Sequence, residues 1–181
     1  MSKTIILIFF ITAFIIFYIF KYASKGVKKA YNHTIKQDEI TSVLSLPQEK
    51  IERIVNAMLA SIRIQTNLAY DRFGKLTDVA KDNWSIGYIG GFADAILQKS
   101  KIDIDITGHI VMHKFFCGVF GEGEGFEYFE KYSNLMETQD EAAINGSNTA
   151  GNEVFNQFQS NGKMMPLGLM KHITEKQLSS N

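Results

Sequence analysis

At 181 residues, 45% apolar and 12% aromatic, the chain is globular rather than disordered, and its single cysteine excludes an intrachain disulfide. The formal net charge of zero conceals two unlike parts: residues 1–36 hold six lysines and no acid, and residues 37–181 hold all 19 acids against 13 Lys and Arg. A downstream part with a net charge of −6 and no basic stripe argues against nucleic acid as the main partner.

After a three-residue flank, Thr4–Phe20 reads TIILIFFITAFIIFYIF without a charge. As a helix it spans roughly 25 Å, close to the ~30 Å of a bilayer's hydrocarbon core. Tyr18 and Tyr22 suit the headgroup region, and Lys21 can snorkel. The segment is therefore expected to be a transmembrane anchor. No A-x-A-like cleavage site follows in FKYASKGVKK, which favours retention over a cleaved signal peptide. Lys21, Lys25, Lys28, Lys29 and Lys36 follow the segment, whereas only Lys3 precedes it. The positive-inside tendency places the downstream part in the cytoplasm, with an exported domain as the alternative. Lys21, Lys25, Lys28 and Lys29 are candidates for the membrane surface, where each contributes about 1 kcal/mol toward anionic headgroups.

Residues 21–44 read as a basic juxtamembrane linker and 45–162 as a helical bundle. Ser45 with Gln48 forms a capping-box pattern around Pro47, and Ile51, Ile54, Val55, Met58, Leu59 and Ile62 recur on one helical stripe. That spacing predicts a helix from Ser45 to about Arg72. A second helix is expected from Thr77 to Lys99, with Ile86, Ile89, Phe92, Ala93, Ile96 and Leu97 on one side and small residues opposite. A helix apolar or small on nearly every side belongs at the centre of a bundle. KIDIDI at 101–106 reads as an extended connection. Thr107 is expected to cap a third helix, HIVMHKFFCGVF, and GEGEG at 121–125 to break it. A fourth helix follows in FEYFEKYSNLM. Thr138 with Glu141 is the expected capping box of a fifth, closed by Asn161-Gly162. The tail, 163–181, carries a short helix at PLGLMKHI and then frays.

Three sets of residues are candidates for a site. His109, His113 and Cys117 stand at i, i+4, i+8, the helical half of a zinc site, although no glutamate stands between the histidines and the helix is otherwise apolar. Gly87, Gly90, Gly91 and Asp94, with Gly146, Ala150 and Gly151, mark helices built for close approach, inside the domain or against a partner. Asp94 needs a partner if buried, and Arg63 or a helix end could supply it. GEGEG lacks the Lys-Ser/Thr of a phosphate loop, and no serine sits in an elbow motif.

GYIGGFADAI, at 87–96, resembles a GY-x-x-G-x-x-DA stretch in a family of small helical immunity proteins that protect bacteria from secreted effectors. The resemblance covers roughly a tenth of the chain, and the cysteines of that family are missing here. It implies an effector-neutralising role as one alternative.

The expectation is an all-α protein, with a single N-terminal transmembrane helix followed by a bundle of about five helices. Its leading function is a non-enzymatic, membrane-tethered module that binds a protein partner or self-associates and needs no cofactor. A zinc-binding domain on His109, His113 and Cys117 is the other alternative.

Overall fold

The computed structural model describes residues 46–70, 76–102 and 106–179, with Leu68 described by its backbone alone. All of them belong to the second of two units into which the chain divides, Leu44–Asn181. The Thr4–Phe20 segment, the linker lysines and Ser45 lie outside the described residues. Among the described residues no helix is long and apolar enough to cross a membrane.

The described part is all-α, with six α-helices and no strand; one bridge pairs Tyr70 with Leu76. Helix α1, Gln48–Thr66, starts behind Pro47, whose carbonyl accepts from the Lys50 and Ile51 N–H groups. It buries Ile51, Val55, Met58, Leu59 and Ile62, the stripe its spacing predicts. It ends at Thr66 rather than near Arg72. The Thr66 hydroxyl donates back to the Ile62 carbonyl, and the chain tightens into a 3₁₀ turn at Asn67–Ala69.

Helix α2, Asn83–Lys99, begins six residues later than expected. The residues from Asp78 to Lys81 form a separate 3₁₀ turn, and Asp82 caps α2 by accepting from the Ser85 N–H at 2.8 Å. Helix α3, Ile106–Phe120, takes in Thr107 within its first turn instead of being capped by it. Gly121 then adopts φ +91°, a left-handed conformation open to glycine, and breaks the chain where GEGEG predicts. Helix α4, Gly125–Glu137, and helix α5, Glu141–Gln159, follow. The expected Thr138 capping box does not form. Thr138 instead closes α4 by donating to the Asn134 carbonyl, and Asp140 caps α5 through the Ala143 N–H at 2.9 Å. Asn161 and Gly162 terminate α5 with positive φ. Helix α6, Gly168–Ser179, is longer than the tail motif suggests, because Leu169 and Ile173 are buried and hold it on the bundle.

Helix α2 is the hub. Every residue from Ser85 to Ala93 is buried. Helix α5 lies along it in the same direction: Asn83 donates to Asp140, Gly87 meets Ala143, Gly91 meets Ser147, and Lys99 reaches Phe155. A methyl group at Gly87 would strike the Ala143 backbone, and one at Gly146 would strike the Trp84 carbonyl. The two backbones are in direct contact there, which only hydrogen at those α-carbons allows. Helix α1 runs opposite to α2, since Gln65 sits at Tyr88 while Ala57 and Ser61 sit near Ile96. Also against α2, α3 contributes Phe115 and Phe116, and α4 lays Tyr132 over Gly90 and beside Ser147 of α5.

A buried polar node joins α1, α2, α5 and α6. Glu153 accepts from the Leu167 and Gly168 N–H groups at 3.2 and 3.0 Å, supplying the start of α6 with an acceptor. The Tyr88 hydroxyl donates to the same carboxylate at 2.5 Å and lies 3.1 Å from Gln65 Oε1, which also accepts from the Leu169 N–H. Burial, then the neighbouring Glu153 charge, pushes the Tyr88 hydroxyl well above its ordinary range, so it remains a donor.

Two substitutions separate close packing from helix propensity. Gly87→Ala should cost about 2 kcal/mol or more in denaturant unfolding, because backbone must move to admit the methyl. Gly151→Ala, where nothing lies within 4 Å of the added carbon, should gain about 0.5–1 kcal/mol. Glu153→Ala should cost about 2 kcal/mol and speed amide hydrogen exchange in α6 ahead of α2.

Candidate functional site

The predicted metal ligands sit on α3 in unlike settings. His109 is exposed, with its ring edge-on to Phe129. His113 is half-buried, and its Nε2 lies 3.6 Å from the Sγ of buried Cys117. Burial lowers the His113 pKa, and burial together with the Glu122 charge raises that of Cys117. At neutral pH the pair is therefore a neutral imidazole beside a thiol, poor in the thiolate that attacks an electrophile. Among the described residues, no three His, Cys, Asp or Glu side chains converge to hold a metal ion.

The small residues are occupied within the unit. Gly87, Gly91, Gly146 and Ala150 are buried, the three glycines at the α2–α5 contact, and Gly90 is covered by the Tyr132 ring. Gly151 alone is open. The faces suggested for self-association are thus largely taken up by intramolecular packing. Asp94 is half-buried, and among the described residues it pairs with neither Arg63 nor a helix end. Gln98 donates to its Oδ2 at 2.9 Å, and its Oδ1 is buried without a hydrogen-bond partner among the described residues. Burial raises its pKa against the Gln98 hydrogen bond. It faces Tyr132, whose hydroxyl is pushed up to about 12 by burial and by the Asp94 charge.

Chain order hides a second polar cluster at the start of α2. Besides capping the helix, Asp82 has His172 Nε2 at 3.0 Å and Lys176 Nζ at 3.1 Å on its Oδ2. The His172 ring stacks on Trp84, with centroids 4.1 Å apart. Burial works to raise the Asp82 pKa, but the Ser85 N–H, His172 and Lys176 outweigh it and take it from 3.8 to about 2. These groups saturate one another and fasten α6 to α2. The helix start is expected at Thr77 from the sequence, and a histidine 90 residues from Asp82 gives no local signal.

Two exposed features remain. The first is acidic. Residues 122–141 hold seven acids and one lysine, a net of −6 that equals the excess of the whole downstream part. Of these acids, Glu124 pairs with Lys81 at 3.0 Å and Asp140 is spent on caps. Glu122, Glu127, Glu130, Glu137 and Glu141 face solvent along the α3–α4 turn, the outer side of α4 and the first turn of α5. Among the described residues, none of these five is in an ion pair.

The second is apolar. Phe155, Phe158, Met164, Met165 and Leu167 are exposed on the last turns of α5 and the connection to α6. Phe158 edges an open groove of about 450 Å³ against Ala57, Ser61 and Ile96.

No protein-family model matches the chain, and no curated protein or solved structure matches it.

The Asp82 cluster predicts an acid limb in stability. A carboxylate depressed in the fold stabilises above its unfolded value, and that contribution is lost as pH falls from about 4 toward about 2. Asp82→Asn keeps an acceptor for the cap but removes the charge. Its unfolding free energy should therefore be lower at neutral pH and flatter across that window, measured by urea titration.

Proposed function

We propose that the protein is a membrane-tethered, non-enzymatic interaction module whose downstream bundle binds a basic protein surface through its acidic face. The concentration of exposed, unpaired carboxylates on α4 and the flanking turns is the observation that carries this reading. Like charges gathered on one face raise the free energy of the free protein, and a cationic partner relieves that repulsion. Such a face also accelerates encounter with a basic partner in a salt-dependent way. The anchor-like run Thr4–Phe20 and the lysines that follow it support the tether. An effector-neutralising role is one form this module could take, because a secreted effector that acts on phosphate-rich targets presents a cationic surface.

The test is cross-linking and affinity capture of the full chain from detergent-solubilised membranes, beside the triple variant Glu127→Gln, Glu130→Gln, Glu137→Gln. A stoichiometric partner should be held by the native chain and lost with the variant. It should also be lost at about 1 M salt, where screening acts within about 3 Å. Capture that the variant leaves intact, or no stoichiometric partner, would overturn the acidic face as the binding surface.

A further inference from the structure

The apolar feature has a definite position in the bundle. Helix α1 runs against α2, and α5 runs with it, so the first turn of α1 and the last turns of α2 and α5 lie at one end. The chain enters the bundle at that end through Leu46 and Pro47, after 45 residues that include the Thr4–Phe20 run. Helix α3 also begins there, with Ile106 four residues beyond Ile102. Phe155, Phe158, Met164 and Ile106, all at this end, are between 46% and 56% exposed. Met164 is set in place by its N–H, which donates to the Ser160 hydroxyl.

Exposed lysines lie at the same end. Lys50, Lys99, Lys101 and Lys163 are exposed, and the Lys99 ammonium lies 4.6 Å from the centre of the Phe155 ring. Of the acids nearby, Glu49 pairs with Arg53, Glu52 accepts from Gln48 and lies 4.0 Å from Lys114, and Asp94 accepts from Gln98; Glu130, next to the Phe129 that packs on His109, is exposed. Asp103 and Asp105 lie outside the described residues.

We propose that this end of the bundle rests in the headgroup layer of an anionic bilayer, with Phe155, Phe158, Met164 and Ile106 inserted and the four lysines on lipid phosphates. The inference rests on the tethered reading above. Phenylalanine and methionine beside lysines that can extend outward make the composition of an interfacial contact. A second protein at the same place would have to displace a bilayer that a linker of about 25 residues keeps at high effective concentration. Seated this way, the first turn of α5, roughly 23 Å up the helix from its last, points away from the lipid. The acidic residues around it are then presented outward.

The experiment uses the full chain with Cys117→Ala, labelled with an environment-sensitive fluorophore at Phe158→Cys, at Ile106→Cys or, as a control, at Glu137→Cys. Each is reconstituted into vesicles of phosphatidylcholine and phosphatidylglycerol at a ratio of about 3 to 1. Expected are flotation of all three, loss of most fluorescence at 158 and 106 to nitroxide-bearing lipids, and no loss at 137. Flotation with 158 and 106 open to aqueous iodide would overturn the lipid contact and leave the tether standing. A blue-shifted probe at 158 that nitroxide lipid does not quench would mean that protein, a second copy or a partner, covers this end, and would also overturn it. A chain that fails to float removes the tether itself, and the seating with it.

Discussion

The bundle depends on the backbone contact between α2 and α5. Gly87, Gly91 and Gly146 let two parallel helices approach until main-chain atoms touch, and Ala143, Ser147 and Ala150 fill the seam with little more than a methyl or hydroxymethyl group. Several glycines inside helices each forfeit about 1 kcal/mol of helix propensity, which the close packing must recover through dispersion contacts. Parallel packing also sets two helix N-termini side by side. An aspartate caps each one, Asp82 and Asp140, and the Asn83 amide bridges from the first helix to the second cap. The positive ends of two macrodipoles are thus matched by two carboxylates.

The remaining elements take their places from that pair. A parallel neighbour cannot be reached by a short turn, so the chain spends α3 and α4 on the return. These helices bring an aromatic group, with Phe116 near Phe120, Phe129 and Tyr132, and Phe120 stacked on Tyr128. Helix α6 comes last and is fastened electrostatically at its start by Glu153 and farther along by Asp82. The polar groups that look most like chemistry are therefore largely spent on holding helices together. What remains free is distributed surface: carboxylates on the outer side of α4, and apolar side chains with lysines where the chain enters.

Unpaired carboxylates and one cluster of exposed apolar side chains thus occupy different parts of the bundle surface. A face of like-charged carboxylates is suited to reading a partner of opposite sign, and an apolar end bordered by lysines is suited to the boundary of lipid and water. The two assignments are mutually consistent, because the entering chain and the first turn of α5 stand at opposite ends of the same long helix pair.

Periodicity sufficed for the helical class, the central place of IGGFADAIL, the stripe of α1 and the breaks at GEGEG and Asn161-Gly162. Those features follow from interactions within a few residues along the chain: the 3.6-residue repeat, and the freedom of glycine at positive φ. Helix starts were less legible: the second helix was expected from Thr77, and Thr107 and Thr138 each offered a local cap, but tertiary packing chose another boundary in every case. Asp82 and Asp140 prevailed where their carboxylates also met His172, Lys176 and Asn83 from elsewhere in the chain. Small residues announced a close approach, but only the assembled bundle decided that α2 and α5 would satisfy it between themselves. The full extent of α6, the Glu153 node and the gathering of exposed apolar side chains where the chain enters were also tertiary decisions. Each depends on groups tens of residues apart, whose meeting is fixed by how the helices pack and not by any spacing along the sequence.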